Sequence, residues 1–187
     1  WTEEKGLTLF LSPSGMTGRA PHNQSAGSNG LGIDKQGNLI LCQHGDRSVA
    51  RLTDWTFNKP KYEVLVNHYN GMWLNSPNDL VFDSEGSIYF TDPPYGLKQQ
   101  DTDSLKELDF NGIFKWSPRE GIKLLNKNMT RPNGIIFSID EKTAYVANSD
   151  GNNEVIMAFD NKNGQFTNER VFFDGNELSK TREGHFD

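Results

Sequence analysis

Oxygen-bearing side chains recur along this sequence at matching offsets. Asn29, Asn78 and Asn133 stand about fifty residues apart, a period that belongs to arrays and propellers built of one repeated supersecondary module, and each precedes a short apolar run. Asp79 follows the second of them, and Asp187 stands where a fourth such unit opens. Amide and carboxylate oxygens converging from separate modules suit a hard cation, because calcium takes about six to eight oxygen ligands in flexible geometry. Zinc favours His and Cys, of which there are four and one. The competing reading of each Asn is local: its amide bonds nearby backbone at a strand entry, as in an Asx turn. The residues alone leave both readings open.

The elements that must position these side chains are short strands. Runs rich in β-branched and aromatic residues, bounded by turns such as Lys35-Gln36-Gly37-Asn38 and Asp83-Ser84-Glu85-Gly86, predict strands near 7–11, 31–34, 39–43, 48–52, 63–66, 80–83, 88–91, 112–116, 121–125, 135–138, 144–147, 155–160 and 170–173. No run reads as a helix of ordinary length. Grouped by the Asn repeat, the strands form units of four at 29–67, 78–126 and 133–175, with 1–11 as the tail of a preceding unit. Four antiparallel strands per repeat is the blade of a β-propeller, whose radial closure protects its sheet edges. A sandwich of hairpins gives no reason for Asn to return at one offset three times. The expectation is an all-β chain, a single propeller domain over 1–187 that covers only about three and a half blades of a longer ring.

In such a blade the first strand lines the channel, and the residues before it share a face with the end of the second strand. Asn29, Asn78, Asp79, Asn133 and Asp187 are therefore expected at one mouth. The turns His44-Gly45-Asp46, Asp92-Pro93-Pro94-Tyr95 and Asn148-Ser149-Asp150 join them there.

Bulk properties narrow the partners. A net charge of −6 argues against nucleic acid, whose binders display a basic face. No apolar stretch is long enough to span a membrane, and Trp1 to Gly6 lacks the features of an export signal. The single Cys42 rules out an internal disulfide and sits in an apolar run, where a buried inert thiol is expected. Trp55, Trp73 and Trp116 read as blade packing, His44 as an exposed turn residue that could serve as an alternative base, and 97–108 as a polar insertion over the mouth.

The motifs Ser76-Pro77-Asn78-Asp79-Leu80-Val81-Phe82-Asp83, Tyr89-Phe90-Thr91-Asp92-Pro93-Pro94-Tyr95-Gly96 and Arg131-Pro132-Asn133-Gly134 resemble the gluconolactonase and regucalcin (senescence marker protein-like) family of six-bladed propellers. The resemblance runs from about Gly6 to Asp187. It implies a divalent cation, calcium first and zinc, magnesium or manganese otherwise, held by a Glu from an early motif, the Asn of a PNG motif and an Asp of a later motif. Asn133 matches that Asn, Asp187 matches that Asp, and Asn78 matches a residue that binds metal in some relatives and substrate in others. The early Glu has no match, since Glu3 and Glu4 lack its motif. Some sugar-lactone relatives carry Arg where this chain has Ser76.

The resemblance implies hydrolysis of a sugar lactone, with the cation polarising the carbonyl and Asp187 activating water. Asp79 is the supporting carboxylate, and Asn78, Asp79 and Arg131 are the expected substrate contacts, with a salt bridge or cation–π role as the equal alternative for Arg131. A non-catalytic propeller that binds calcium or a protein is the alternative from another class, and an aryl-ester or phosphotriester hydrolase is the nearest rival enzyme. Cytoplasm and bacterial periplasm both remain open, as does oligomeric state.

Overall fold

The computed structural model describes residues 2–24, 26–56, 59–182 and 184–187. Three four-stranded antiparallel sheets follow one another along the chain, each with its strands adjacent in sequence order. The first blade holds β1 (Ser28–Ile33), β2 (Leu39–Gln43), β3 (Ser48–Asp54) and β4 (Lys61–Val66). A small hairpin, β5 (His68–Tyr69) and β6 (Met72–Trp73), leads to the second blade of β7 (Leu80–Phe82), β8 (Ile88–Asp92), β9 (Gly112–Ser117) and β10 (Gly121–Asn126). The third blade comprises β11 (Pro132–Phe137), β12 (Thr143–Asp150), β13 (Asn153–Lys162) and β14 (Gln165–Asp174), followed by the single turn α1 (Asn176–Ser179).

Turn chemistry explains why the units repeat. The Asp34 carboxylate accepts the N–H groups of Gln36 and Asn38, and Asp83 accepts those of Glu85 and Ser87. Each Asx turn then closes through a glycine at positive φ, Gly37 at 84° and Gly86 at 88°. In the third blade Glu141 takes the corresponding left-handed position at 56°.

Alternation along the second blade splits its side chains between two interfaces. Leu80, Ile88, Phe90 and Phe114 pack toward the first blade with Ile40, Cys42, Val49 and Leu74. Tyr89 and Ile113 pack toward the third with Ile135, Val146 and Phe159. Cys42 is fully buried, and burial raises its thiol pKa, as expected of an inert thiol. The outer faces of the first and third blades carry uncovered apolar residues, among them Leu31, Ile33, Ile136 and Phe172.

Three expectations are corrected. Residues 7–11 form no strand, and Leu7, Leu9 and Phe10 lie exposed; Trp1 lies outside the described residues. Trp55 is exposed against Phe10 rather than packed inside a blade. The β5–β6 hairpin went unread although its turn is Asn70-Gly71, both at positive φ, the usual signature of a two-residue hairpin loop. No helix among the described residues is long and apolar enough to cross a membrane.

Candidate active site

Antiparallel pairing does gather strand entries and second-strand ends at one mouth. His44 N–H donates to Gly27 O at 3.1 Å, Asn78 N–H to Thr91 O at 2.8 Å and Ser149 N–H to Arg131 O at 2.9 Å. Asn29, Asn78, Asp79 and Asp187 line a single cavity of about 730 Å³, with Gly134 and Ile135 beside them. Its remaining wall is the uncovered flank of the third blade, including Ile136, Tyr145 and Phe172.

Glycine permits the close approach. A Cβ on Gly134 would stand 2.5 Å from the carbonyl carbon of Asp187, and one on Gly30 would stand 2.7 Å from Asn78 O. The Gly30 N–H instead donates to Asn78 O at 2.6 Å, which ties the first blade to the second. Asn78 is buried and contributes to the cavity lining.

Asp79 Oδ2 accepts the Ile135 N–H at 2.9 Å. Burial raises its pKa above the usual carboxylate value against the pull of the Ile135 and Leu80 N–H groups, and nearby Asp187 adds to the rise. Thr91, unread in the sequence, donates its hydroxyl to Asn133 O at 2.7 Å and accepts the Asp79 N–H at 3.2 Å.

Asn133 is not part of the cavity lining but sits next to Gly134 at its edge. Its Nδ2 donates to Ser149 Oγ at 2.8 Å, whereas Oδ1 is buried without a partner. The segment bearing Asp187 is held by Glu154, whose nearly buried carboxylate takes His185 Nδ1 on one oxygen and the Phe186 N–H at 3.2 Å on the other. Ser149 lies in the turn expected at the mouth, whereas Glu154 gives no signal in the sequence, because His185 and Phe186, which it holds, lie far along the chain.

The donors present fit a hard divalent cation. The orphaned buried amide oxygen of Asn133, the amide oxygen of Asn78 and the carboxylate of Asp187 are all of the ligand type such a cation takes. Among the described residues no three His, Cys, Asp or Glu side chains cluster, so a cation bound here would have to draw on amide oxygens as well as carboxylates. Glu3 and Glu4 are exposed in the turn closed by Thr2 and Gly6.

Arg131 turns elsewhere. Its guanidinium pairs with Asp101 of the insertion and reaches Gln100 Oε1 at 3.4 Å, away from the cavity lining. The insertion is firmly tied, since Asp103 accepts from Asn23 Nδ2 and from the Gln99 and Leu105 N–H groups. His44, expected exposed, is instead half-buried beneath Gly96, and burial depresses its pKa to about 4.

Comparison with known proteins agrees with this architecture. The family model for the SMP-30/Gluconolactonase/LRE-like region matches residues 8–187. The gluconolactonase of Zymomonas mobilis subsp. mobilis is 40% identical over 152 residues, covering 80% of this chain and 42% of that protein. Lactonohydrolase oryL of Aspergillus oryzae is 31% identical over 97 residues, covering 51% of this chain and 22% of that protein. The solved gluconolactonase of Xanthomonas campestris superposes with a TM-score of 0.69 at 34% identity, over 81% of this chain and 50% of its own. The chain thus spans less than half the length of the curated relatives it matches. On the family match and the three four-stranded blades, the chain belongs to the SMP-30/gluconolactonase/LRE-like family of β-propellers.

Proposed function

We propose that this chain contributes the greater part of a divalent-cation-dependent site that hydrolyses a sugar lactone, with calcium as the first cation to test. The observation that carries the reading is the buried, unpartnered Asn133 Oδ1 at the edge of the cavity lined by Asn78 and Asp187. A buried carbonyl oxygen without a donor is costly, and a bound cation relieves that cost. Family membership supports the reaction class, since relatives are a gluconolactonase and a lactonohydrolase.

In this reading Asn133 Oδ1, Asn78 and Asp187 hold the cation, which when bound supplies Lewis-acid polarisation of the lactone carbonyl. The Asp187 carboxylate takes a proton from the attacking water as its oxygen bonds to the carbonyl carbon. The ring C–O bond breaks, and the proton passes to the departing ring oxygen, giving the open hydroxy acid. Asp79, with one oxygen engaged by Ile135, keeps the other for substrate or water. Asn78, Asp79 and Asp187 at the polar end of the cavity supply the groups that a polyhydroxylated ring needs.

The test is hydrolysis of glucono-1,5-lactone by the chain with and without chelator, and by Asn133→Ala and Asp187→Ala. Loss of turnover on chelation, restored by added calcium, and loss in both variants are expected. Turnover unchanged by all three removes the proposal.

A further inference from the structure

The hydrogen-bond polarity at Ser149 carries an inference that rests on the cation reading above and deepens it. We propose that Ser149 is a positioning residue that fixes which end of the Asn133 amide faces the cation.

A serine hydroxyl has one proton to give. At Ser149 it goes to the carbonyl oxygen of Phe186, which can only accept. Ser149 Oγ must therefore act as acceptor toward Asn133, so the NH2 end of that amide is the one at 2.8 Å. Oδ1 is thereby turned away from Ser149, and among the described residues it is buried with no partner. The two ends of an amide have almost the same shape and differ only in donating or accepting. Without Ser149, packing alone leaves the Asn133 amide free to present NH2, which repels a cation, instead of oxygen.

The same hydroxyl acts on the other side of the site. Phe186, whose carbonyl it holds, directly precedes Asp187, and Glu154 holds the Phe186 N–H at 3.2 Å. One small side chain on β12 thus links an amide ligand on β11 to a carboxylate ligand from the segment after α1. The arrangement separates two roles. Orientation of Asn133 matters only while that residue is an amide, whereas support of Phe186 matters whatever stands at 133.

The experiment titrates calcium chloride into the chain by calorimetry and follows the calcium-induced rise in Tm. Removing a group that orients a metal ligand typically weakens affinity about 10- to 100-fold, so Ser149→Ala is expected to lose calcium affinity in about that range. Ser149→Thr, which keeps the hydroxyl, is expected to restore it. A carboxylate presents oxygen at both ends, so in an Asn133→Asp background the loss on Ser149→Ala is expected to shrink to less than about threefold. An equal loss with Asn133 intact and in the Asn133→Asp background overturns the orientation role and leaves Ser149 as a support of Phe186. Unchanged affinity in Ser149→Ala overturns the proposal outright. The parent reading fails separately: it falls if Asn133→Ala binds calcium as the unaltered chain does, or if the chain binds none, and the Ser149 proposal then falls with it.

Discussion

Asp79 Oδ2 accepts the backbone N–H of Ile135 at 2.9 Å, so a carboxylate at the head of one blade's innermost strand satisfies a donor in the innermost strand of the next. Beside it, Thr91 Oγ1 donates to Asn133 O at 2.7 Å. Neighbouring first strands in a propeller diverge and cannot share a regular ladder, and these side chains replace the missing backbone bonds. The same acidic residue that reads as a functional candidate in the sequence is therefore also a seam between blades.

A seam of that kind makes a separable prediction. Asp79→Ala strands the Ile135 N–H in a buried setting, which costs about 1–3 kcal/mol. Asp79→Asn retains an oxygen for that N–H and is expected to keep most of the stability. Urea denaturation of the two variants checks this, and equal losses in both would show that the charge of Asp79, not its acceptor, holds the seam.

Burial distinguishes interior faces from end faces. Phe90 is fully buried and stacks on Phe114 with centroids 5.5 Å apart, so Phe90→Ala is expected to cost about 3–5 kcal/mol. Ile136, on the uncovered flank of the third blade, is 62% exposed, and Ile136→Ser is expected to change stability by no more than about 0.5 kcal/mol. A loss at Ile136 comparable to that at Phe90 would mean that this flank is covered in solution.

These contrasts show what was legible in the sequence. The Asn repeat, the turns that follow Asp34 and Asp83 and the apolar runs such as 88–91 are local signals, and they sufficed for the blades and for gathering Asn29, Asn78, Asp79 and Asp187 at one cavity. Residues 7–11 are equally apolar but form no strand, because a strand needs a partner edge and none of the described residues supplies one. His44 differs in environment from its expectation because Gly96, which packs over it, lies far along the chain, whereas Arg131 takes the salt bridge that was the alternative to a substrate contact. Ser149 and Glu154 gain their roles only from the return of 185–187 onto the third blade.

Two groups near the mouth predict opposing pH dependences. Burial depresses His44 to about 4, while the unfolded residue titrates near about 6.5; its contribution is present above that value and is lost as pH falls toward 4. Burial raises Asp92 to about 7, against the Asn75 and Ser76 N–H groups and Arg47, while the unfolded residue titrates near about 4; its contribution is largest at low pH and is lost as pH rises toward 7. Between pH 4.5 and 6.5, roughly the window the two share, the two slopes cancel. Relative to the unaltered chain, His44→Gln is expected to lose stability with rising pH, and Asp92→Asn to gain it, each by about 1.4 kcal/mol per pH unit at most. Urea midpoints at three pH values across the window decide the matter, and parallel profiles for all three chains would contradict the burial argument.

The anchor beneath the Asp187 segment yields the last prediction. Glu154 has only 2% of its side chain exposed and directs its carboxylate at the Phe186 N–H and at His185. A hydrogen bond to a charged group contributes about 1.5–3 kcal/mol, and each 1.4 kcal/mol or so is tenfold in a local opening equilibrium. Glu154→Ala is therefore expected to speed amide exchange at Phe186 by at least about tenfold, while the Asn148 amide in the middle of the blade keeps its protection. Glu154→Gln retains one acceptor oxygen, and its exchange rate should fall between the two. Uniform acceleration across the third blade would assign Glu154 to the stability of the whole sheet, and unchanged exchange at Phe186 would release the Asp187 segment from any dependence on this carboxylate.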